Sequence, residues 1–170
     1  IVFERLGLDV TVIGAEPDGV NINDGVGSTH PEALQKAVLE TGADLGFAFD
    51  GDADRVLAVD GSGVVVDGDR LIGLLAVDWA ARDQLASDTV VVTVMTNLGF
   101  HLAMQDAGVT VLTTDVGDRN VLEELNRGGH SLGGEQSGHI ICRNLASTGD
   151  GILSAVQLID AVQRSSKPLA

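Results

Sequence analysis

The stretch Leu45-Gly-Phe-Ala-Phe49, followed at once by Asp50-Gly-Asp-Ala-Asp-Arg55, decides how the chain is expected to fold. A short apolar run that ends abruptly at a charged residue is typical of a buried strand whose C-terminal end leads into a loop. The carboxylates of Asp50, Asp52 and Asp54 alternate along this loop and can converge on one point. Hard oxygen ligands in that arrangement suit Mg²⁺. The stretch therefore predicts a magnesium site at the end of a strand.

The same acidic loop has other interpretations. A solvated acidic turn is the simplest, because a chain with 25 Asp and Glu residues contains such clusters by chance. An EF-hand loop is excluded, since its sixth and twelfth positions need Gly and Glu but hold Arg55 and Gly61 here. An aspartate nucleophile that forms an acyl phosphate in a Mg²⁺-dependent phosphatase remains the alternative chemistry.

Outward from this loop, the hydrophobic pattern predicts an α/β protein. Apolar runs at residues 56–59 and 64–66 flank an Asp-Gly-Ser-Gly turn, which indicates a hairpin. Residues 8–14 are predicted to form a strand, and Thr29 with Glu32 a capping box that starts a helix. We expect two consecutive α/β units with mixed sheets flanked by helices, the first truncated at its N-terminus.

The two predicted units divide near Asp67. Residues 1–67 then form the first unit, which carries the acidic loop, and residues 68–166 form the second. Residues 167–170 are expected to be a linker, because Ser165-Ser166-Lys167-Pro168 is a polar segment that ends in Pro. Apolar helix faces left uncovered in the first unit would favour self-association, so a homodimer is among the expected partners.

The charge of the chain limits the classes of partner. There are 10 Lys and Arg residues against 25 Asp and Glu residues, a formal net charge of −15. Such a field repels the phosphates of nucleic acids and of acidic membranes, so neither is an expected partner. No segment approaches the roughly 20 apolar residues of a membrane-spanning helix. With Cys142 as the single cysteine, we expect a soluble cytoplasmic protein.

A second loop, Gly133-Gly-Glu-Gln-Ser-Gly-His139, carries polar side chains between glycines. Glu135 accepts hydrogen bonds, Ser137 donates or accepts them, and His139 does either according to its protonation. This set of groups suits the neighbouring hydroxyls of a sugar. A plain polar turn rich in glycine is the alternative.

A third polar segment, Asp115-Val-Gly-Asp-Arg119, lies between a predicted strand and a predicted helix. Gly117 permits a tight turn there. Arg119 either binds a phosphate group or pairs with Asp118, and the residues alone leave both interpretations open.

Taken together, residues 50–55 and 134–139 resemble the motifs of the α-D-phosphohexomutase superfamily, and the resemblance extends over essentially the whole chain. Residues 17–32 and 116–119 are most similar to its amino-sugar branch. Gln136 favours the same branch, since the mannose and glucose branches usually carry Met there. Those branches remain the alternative within the superfamily, and a noncatalytic sugar- or metal-binding module is the alternative outside it.

The resemblance implies a Mg²⁺-dependent enzyme of four domains, of which this chain holds the end of the second and the third. A phosphoserine on the first domain would phosphorylate a sugar phosphate, and the resulting bisphosphate would return its other phosphoryl group. The net reaction would interconvert glucosamine 6-phosphate and glucosamine 1-phosphate for UDP-N-acetylglucosamine synthesis. Domains 1 and 4 would be partners. Because no Thr-Ala-Ser-His-Asn-like segment occurs here, we expect these 170 residues alone to be inactive.

The resemblance also implies a role for each site residue. Arg55 and His139 would be catalytic, the first beside the transferring phosphoryl group and the second orienting the substrate or moving its proton. Ala53 stands where the family commonly has Gly, which a negative φ would accommodate. The residues that would bind Mg²⁺ are Asp50, Asp52 and Asp54. The residues that would bind the phosphorylated amino sugar are Glu135, Ser137, His139, Gly117, Asp118 and Arg119.

Overall fold

The computed structural model describes residues 1–165 and Leu169. The first part of the chain contains a three-stranded sheet and two helices. Strand β2 lies between β1 and β3 and is antiparallel to both, with Leu45 opposite Asp60. The elements are α1 (Val2–Arg5), α2 (Glu32–Thr41), β1 (Leu45–Phe49), β2 (Val56–Asp60) and β3 (Val65–Val66).

The second part is a four-stranded mixed sheet with helices on both faces. Its strand order is β5-β4-β6-β7, with β4 parallel to β5 and β6, and β7 antiparallel to β6. The elements are α3 (Gly68–Ala80), a 3₁₀ turn (Ala86–Asp88), β4 (Thr89–Thr93), α4 (Leu98–Asp106), β5 (Thr110–Thr114), α5 (Asp118–Gly128), β6 (Leu132–Gly134), β7 (Ile140–Cys142) and α6 (Gly151–Ser165). The carboxyl ends of the parallel strands β4, β5 and β6 meet at one edge of the sheet.

One apolar core joins the two sheets. Val56 and Val66 of the first sheet lie in the same buried cluster as Leu71 of α3 and Leu158 of α6. Helices α3 and α6 each contact both sheets. A smaller cluster under α5 covers the other face of the second sheet. Because the two sheets share one core, the loops at their edges are held in fixed relative positions.

The predicted fold class, two α/β units with flanking helices, is confirmed. The first sheet is antiparallel, and the predicted hairpin is formed by β2 and β3. The shared core runs across the predicted division near Asp67, which stays a prediction. The predicted linker at residues 167–170 lies, apart from Leu169, outside the described residues.

Two local predictions in the first part are wrong. Residues 8–14 form no strand and are mostly exposed, because the sheet of β1, β2 and β3 provides no strand that pairs with them. The capping box does not form either. Helix α2 has Pro31 at its N-cap without a side-chain hydrogen bond, and the Thr29 hydroxyl contacts His30 Nδ1 instead, at 3.1 Å.

No helix within residues 1–165 is both long and apolar enough to span a bilayer.

The turn of the β2–β3 hairpin depends on one carboxylate. Oδ1 of Asp60 accepts hydrogen bonds from the backbone N–H and the hydroxyl of Ser62, at 2.8 and 2.6 Å, and from the Val64 N–H at 3.0 Å. The hydroxyl of Ser62, and next the Val64 N–H, hold the pKa of Asp60 below its ordinary value of 3.8. The folded state therefore favours the charged carboxylate.

This lowered pKa predicts a pH-dependent effect of Asp60→Asn. The charged Asp60 stabilises the fold above its ordinary pKa of 3.8, and this contribution is lost as the pH falls through the lower folded pKa. We expect Asp60→Asn to lower the urea midpoint clearly at about pH 7 and much less at about pH 3. The control is Asp9→Asn, an exposed site. An equal loss at both pH values would contradict the prediction.

Candidate active site

The acidic loop connects β1 to β2 and folds back on itself. The backbone N–H of Ala53 donates to the Asp50 carbonyl at 3.1 Å, and the N–H of Arg55 donates to Asp50 Oδ1 at 3.2 Å. Carboxylate oxygens of Asp50, Asp52 and Asp54 all lie within 4.8 Å of one another. The structure thus brings the three predicted metal ligands together.

The charges of this cluster are poorly compensated by the protein. Asp54 Oδ1 is buried and has no hydrogen-bond partner among the described residues. The nearest cation is Arg55, whose Nε lies 3.8 Å from both Asp50 Oδ2 and Asp54 Oδ1 and whose side chain is 48% exposed. Two like charges 4 Å apart repel by about 1 kcal/mol even in water, so three carboxylates destabilise this loop. Three hard oxygen donors, one of them buried without a hydrogen bond from any described residue, fit a divalent cation such as Mg²⁺.

Ala53 lies in the left-handed region, with φ of 58°. The negative φ that would accommodate Ala at this position is therefore not found. A non-glycine residue in this conformation costs about 1–2 kcal/mol. The loop holds this strain between two carboxylates that it brings together, as is common where backbone geometry serves a site.

The glycine-rich loop joins β6 to β7 and lies directly against the acidic loop. The N–H of Val56 donates to the Gly138 carbonyl at 3.0 Å, and Arg55 and His139 form an isolated antiparallel bridge. Gly138 has φ of +93°, and a Cβ there would lie 2.2 Å from the Val56 carbonyl oxygen. Only glycine allows this approach, so the backbone itself fixes the two loops side by side.

The ring of His139 lies inside this junction. Its side chain is 4% exposed, and Nδ1 lies 3.0 Å from Asp54 Oδ2. Since a carboxylate only accepts, Nδ1 carries the proton of that hydrogen bond. His139 Nε2 is buried without a hydrogen-bond partner among the described residues. The structure places His139 against a metal-ligand candidate, and its predicted contact with a substrate stays a prediction.

The third polar segment reaches the glycine-rich loop through Glu135. The N–H of Gly117, just before α5, donates to Glu135 Oε1 at 3.1 Å. The Arg119 guanidinium does not pair with the Asp118 carboxylate, which accepts the Arg119 backbone N–H at 2.7 Å. Arg119 Nε instead lies 2.8 Å from Glu123 Oε1, and this hydrogen bond raises the pKa of Arg119.

The sequence interpretation missed one segment of the site. Residues 149–151 precede and begin α6, and the N–H of Gly151 donates to the Ala53 carbonyl at 2.8 Å. The signal was present, since a Gly-Asp-Gly triplet stands just before the predicted last helix. Cys142 lies outside the site, and burial raises the pKa of its thiol to about 12, which excludes a thiolate nucleophile.

A family model matches the second part of the chain. Residues 67–170 match the family described as phosphoglucomutase/phosphomannomutase, alpha/beta/alpha domain III. The matched range covers β4 to β7 and the helices on both faces of their sheet. The family comparison therefore includes the glycine-rich loop and the segment before α5.

Curated relatives match nearly the whole chain, at more than half of the aligned positions. The phosphoglucosamine mutase of Leifsonia xyli is 58% identical over 169 residues, which cover 99% of this chain and 37% of that protein. The phosphoglucosamine mutase of Symbiobacterium thermophilum is 56% identical over 169 residues, which cover 99% and 38%. The chain thus spans under two fifths of the length of these relatives.

Solved structures share the fold. A phosphoglucomutase/phosphomannomutase family protein from Burkholderia thailandensis superimposes with a TM-score of 0.87 at 27% identity, over 98% of this chain and 37% of that one. The Aspergillus fumigatus N-acetylphosphoglucosamine mutase, solved with GlcNAc-6P and magnesium, gives a TM-score of 0.68 at 21% identity. That superposition covers 95% of this chain and 39% of the fungal one, and it shows the fold alone.

The uncompensated charge predicts that Asp52→Asn stabilises the chain in EDTA. Removing one of three mutually repelling carboxylates relieves about 1 kcal/mol, or roughly 2–4 °C in Tm for a chain of this size. Thermal unfolding followed by circular dichroism measures the change. Asp9→Asn removes the same charge from an exposed site outside the cluster and should leave Tm almost unchanged. A lower Tm for Asp52→Asn would show that the cluster is not under electrostatic strain.

Proposed function

The chain belongs to the phosphoglucomutase/phosphomannomutase family, and from that premise we propose that it supplies the metal loop and the sugar loop of a phosphoglucosamine mutase. The proposed reaction interconverts glucosamine 6-phosphate and glucosamine 1-phosphate through a phosphoserine and a bisphosphate. The observation that carries the proposal is the backbone bridge between Arg55 and His139, which holds the two loops side by side. The amino-sugar substrate is supported by the names of the relatives and by Gln136.

The proposed domain organisation follows the same comparison. Residues 1–67 would end the second domain of a four-domain enzyme, and residues 68–166 would form its third. The phosphoserine would come from the first domain, and the fourth would complete the cleft. A reduced, buried Cys142 is consistent with the proposed cytoplasmic location.

The acidic loop would bind Mg²⁺ through Asp50, Asp52 and Asp54. The clustered oxygens support this assignment, as does Asp54 Oδ1, which has no hydrogen-bond partner in the described part of the chain. When bound, the ion would supply positive charge near the oxygens of a transferring phosphoryl group. His139 supports the loop by donating from Nδ1 to Asp54 Oδ2.

Arg55 would bind the phosphoryl group beside the metal loop. Its guanidinium is half exposed and only loosely paired, at 3.8 Å from each of two carboxylates, so several N–H groups can turn toward a phosphate. Phosphoryl transfer needs positioning and neutralised charge more than covalent help. The Arg55 guanidinium beside the acidic loop would supply both the positioning and the positive charge.

The glycine-rich loop would hold the sugar. Ser137 is exposed, and Glu135 keeps Oε2 for a sugar hydroxyl while Oε1 holds the Gly117 N–H. At the start of α5, Gly117, Asp118 and Arg119 would contact the polar end of the substrate. In this proposal the sugar hydroxyls are bound by one loop and the metal by another. The bisphosphate can then reorient while the acidic loop and Arg55 keep their positions.

The first prediction of this proposal is metal binding by the 170-residue chain itself. Mn²⁺ is a paramagnetic probe that prefers the same hard oxygen ligands as Mg²⁺. We expect free Mn²⁺, counted by electron paramagnetic resonance, to fall on adding the chain and to recover on adding Mg²⁺. Asp52→Asn should weaken Mn²⁺ binding at least about 10-fold, whereas Asp9→Asn should not. Equal affinities of these two variants would contradict the proposed metal site.

The second prediction concerns turnover. The chain alone should show none, because it lacks a phosphoserine segment. A chimera in which the chain replaces the matching segment of the Leifsonia xyli enzyme should convert glucosamine 6-phosphate to glucosamine 1-phosphate. Asp52→Asn in the chimera should reduce kcat at least about 100-fold, while Asp9→Asn retains it.

Two outcomes of that assay would contradict the mutase proposal. A folded chimera without isomerase activity would favour a noncatalytic binding module. Release of inorganic phosphate without isomerisation, with fluoride trapping at Asp50, would favour the aspartate-nucleophile phosphatase.

A further inference from the structure

The segment Gly149-Asp150-Gly151, at the start of α6, contacts the candidate metal loop through the backbone. It contributes no metal ligand, yet it touches both His139 and the backbone of the acidic loop. Neither the family match nor any role derived above assigns a task to it. The inference that follows rests on the metal site of the proposed function and concerns what holds that site in shape.

Gly149 packs closely against the His139 ring. A Cβ on Gly149 would lie 2.5, 2.6 and 2.7 Å from the ring atoms Cε1, Nε2 and Nδ1. Any side chain at this position must therefore push the ring away. Because the His139 side chain is 4% exposed and enclosed, the ring cannot move without disturbing its Nδ1 contact with Asp54.

Gly151 packs against the backbone of the acidic loop. Its N–H, one of the donors that a helix start leaves without an intrahelical partner, donates to the Ala53 carbonyl at 2.8 Å. A Cβ on Gly151 would lie 2.6 Å from the Arg55 carbonyl oxygen and 2.9 Å from the Phe49 ring. The first turn of α6 can therefore approach the loop this closely only through glycine.

Asp150 between them sets where α6 begins. Its Oδ1 accepts the N–H of Leu153 at 2.9 Å, and its carbonyl accepts the N–H of Ser154 at 2.9 Å. These contacts cap the helix and so fix the position of Gly149 against the His139 ring and of Gly151 against the acidic loop. Buried Leu158 and Ala161 anchor the rest of α6 in the core.

We propose that Gly149 and Gly151 are positioning residues for metal binding: Gly149 holds the His139 ring against Asp54, and Gly151 braces the loop backbone at Ala53 and Arg55. The loop needs such a brace, because mutual repulsion drives its carboxylates apart and Ala53 is strained. A partner that orients a metal-ligating side chain is worth about 10- to 100-fold in metal affinity.

A double-mutant cycle between Gly149→Ala and His139→Ala tests the proposal by Mn²⁺ affinity in the 170-residue chain. We expect Gly149→Ala to weaken Mn²⁺ binding about 10-fold. In the His139→Ala background the same change should have less than about a 2-fold effect, because the ring that transmits it is gone. Equal effects in both backgrounds, or none in either, would overturn the proposal for Gly149.

Gly151→Ala tests the second half of the proposal by the same titration. It too should weaken Mn²⁺ binding about 10-fold. Gly73→Ala is the matched control, since a Cβ there meets Phe100 at an ordinary 3.5 Å and its nearest neighbours are Phe100 and Met104, not the acidic loop. Wild-type Mn²⁺ affinity in a folded Gly151→Ala chain would overturn this half.

A second measurement keeps the test decisive if Mn²⁺ binding becomes too weak to follow. The NMR signal of the His139 Cε1–H should shift in metal-free Gly149→Ala and stay in place in Gly73→Ala. An unshifted signal would overturn the proposal for Gly149. If Gly149→Ala does not fold, the comparison of His139→Ala with the double variant decides alone, and a further loss of affinity overturns it.

The Mn²⁺ titrations distinguish an error in the proposed function from an error in the proposed positioning role. If the wild-type chain binds no Mn²⁺, or binds it as tightly after Asp52→Asn, the metal site itself is wrong. If Asp52→Asn abolishes Mn²⁺ binding while Gly149→Ala and Gly151→Ala leave it unchanged, the proposed metal site is supported. Only the positioning role of the two glycines is then wrong.

Discussion

The backbone contact between residues 55–56 and 138–139 is the constraint on which the rest of the site depends. The Val56 N–H donates to the Gly138 carbonyl at 3.0 Å, which joins an acidic loop from one sheet to a glycine-rich loop from the other. Side chains can rearrange, but a backbone bridge fixes the spacing of whatever its flanking residues carry. The proposed metal and sugar roles of these loops would require such a fixed spacing, since phosphoryl transfer is mainly a problem of positioning.

Glycine residues allow the close backbone contacts around the acidic loop, and repulsion between the carboxylates of that loop makes such contacts necessary. Close approach occurs at Gly138, Gly149 and Gly151, where a Cβ would lie within 2.2 to 2.6 Å of other atoms. Three carboxylates within 4.8 Å repel one another and favour opening of the acidic loop. The surrounding core of α3, α6 and both sheets opposes that opening. The site thus combines a destabilising charge cluster with a rigid frame, as is common at functional sites, where local strain is offset by the surrounding structure.

Much of this organisation was predictable, and the errors have physical causes. Residues 50–55 were recognised as a loop of converging carboxylates, because an apolar strand and alternating acids are local signals. The predicted strand at residues 8–14 fails because a strand needs a neighbour, which local periodicity cannot supply. The Asp118–Arg119 pair, one of two interpretations that the sequence left open, does not form because helix α5 brings Glu123 one turn along to the guanidinium, at 2.8 Å.

Neighbouring residues and their order were sufficient to indicate most of the helices and strands, the carboxylate loop, the polar glycine-rich loop and the family resemblance, although they misled at residues 8–14. Three features depend on long-range packing and could not be derived from local sequence: the His139 ring turns to Asp54 instead of to solvent, Ala53 takes a positive φ, and Gly149 packs against the His139 ring while Gly151 packs against the acidic loop. Two of these contacts join distant parts of the chain: His139 and Asp54 are 85 positions apart, and Gly151 and Ala53 are further apart still. Their geometry follows from how helices and sheets share one core. No local pattern encodes a distance of that kind.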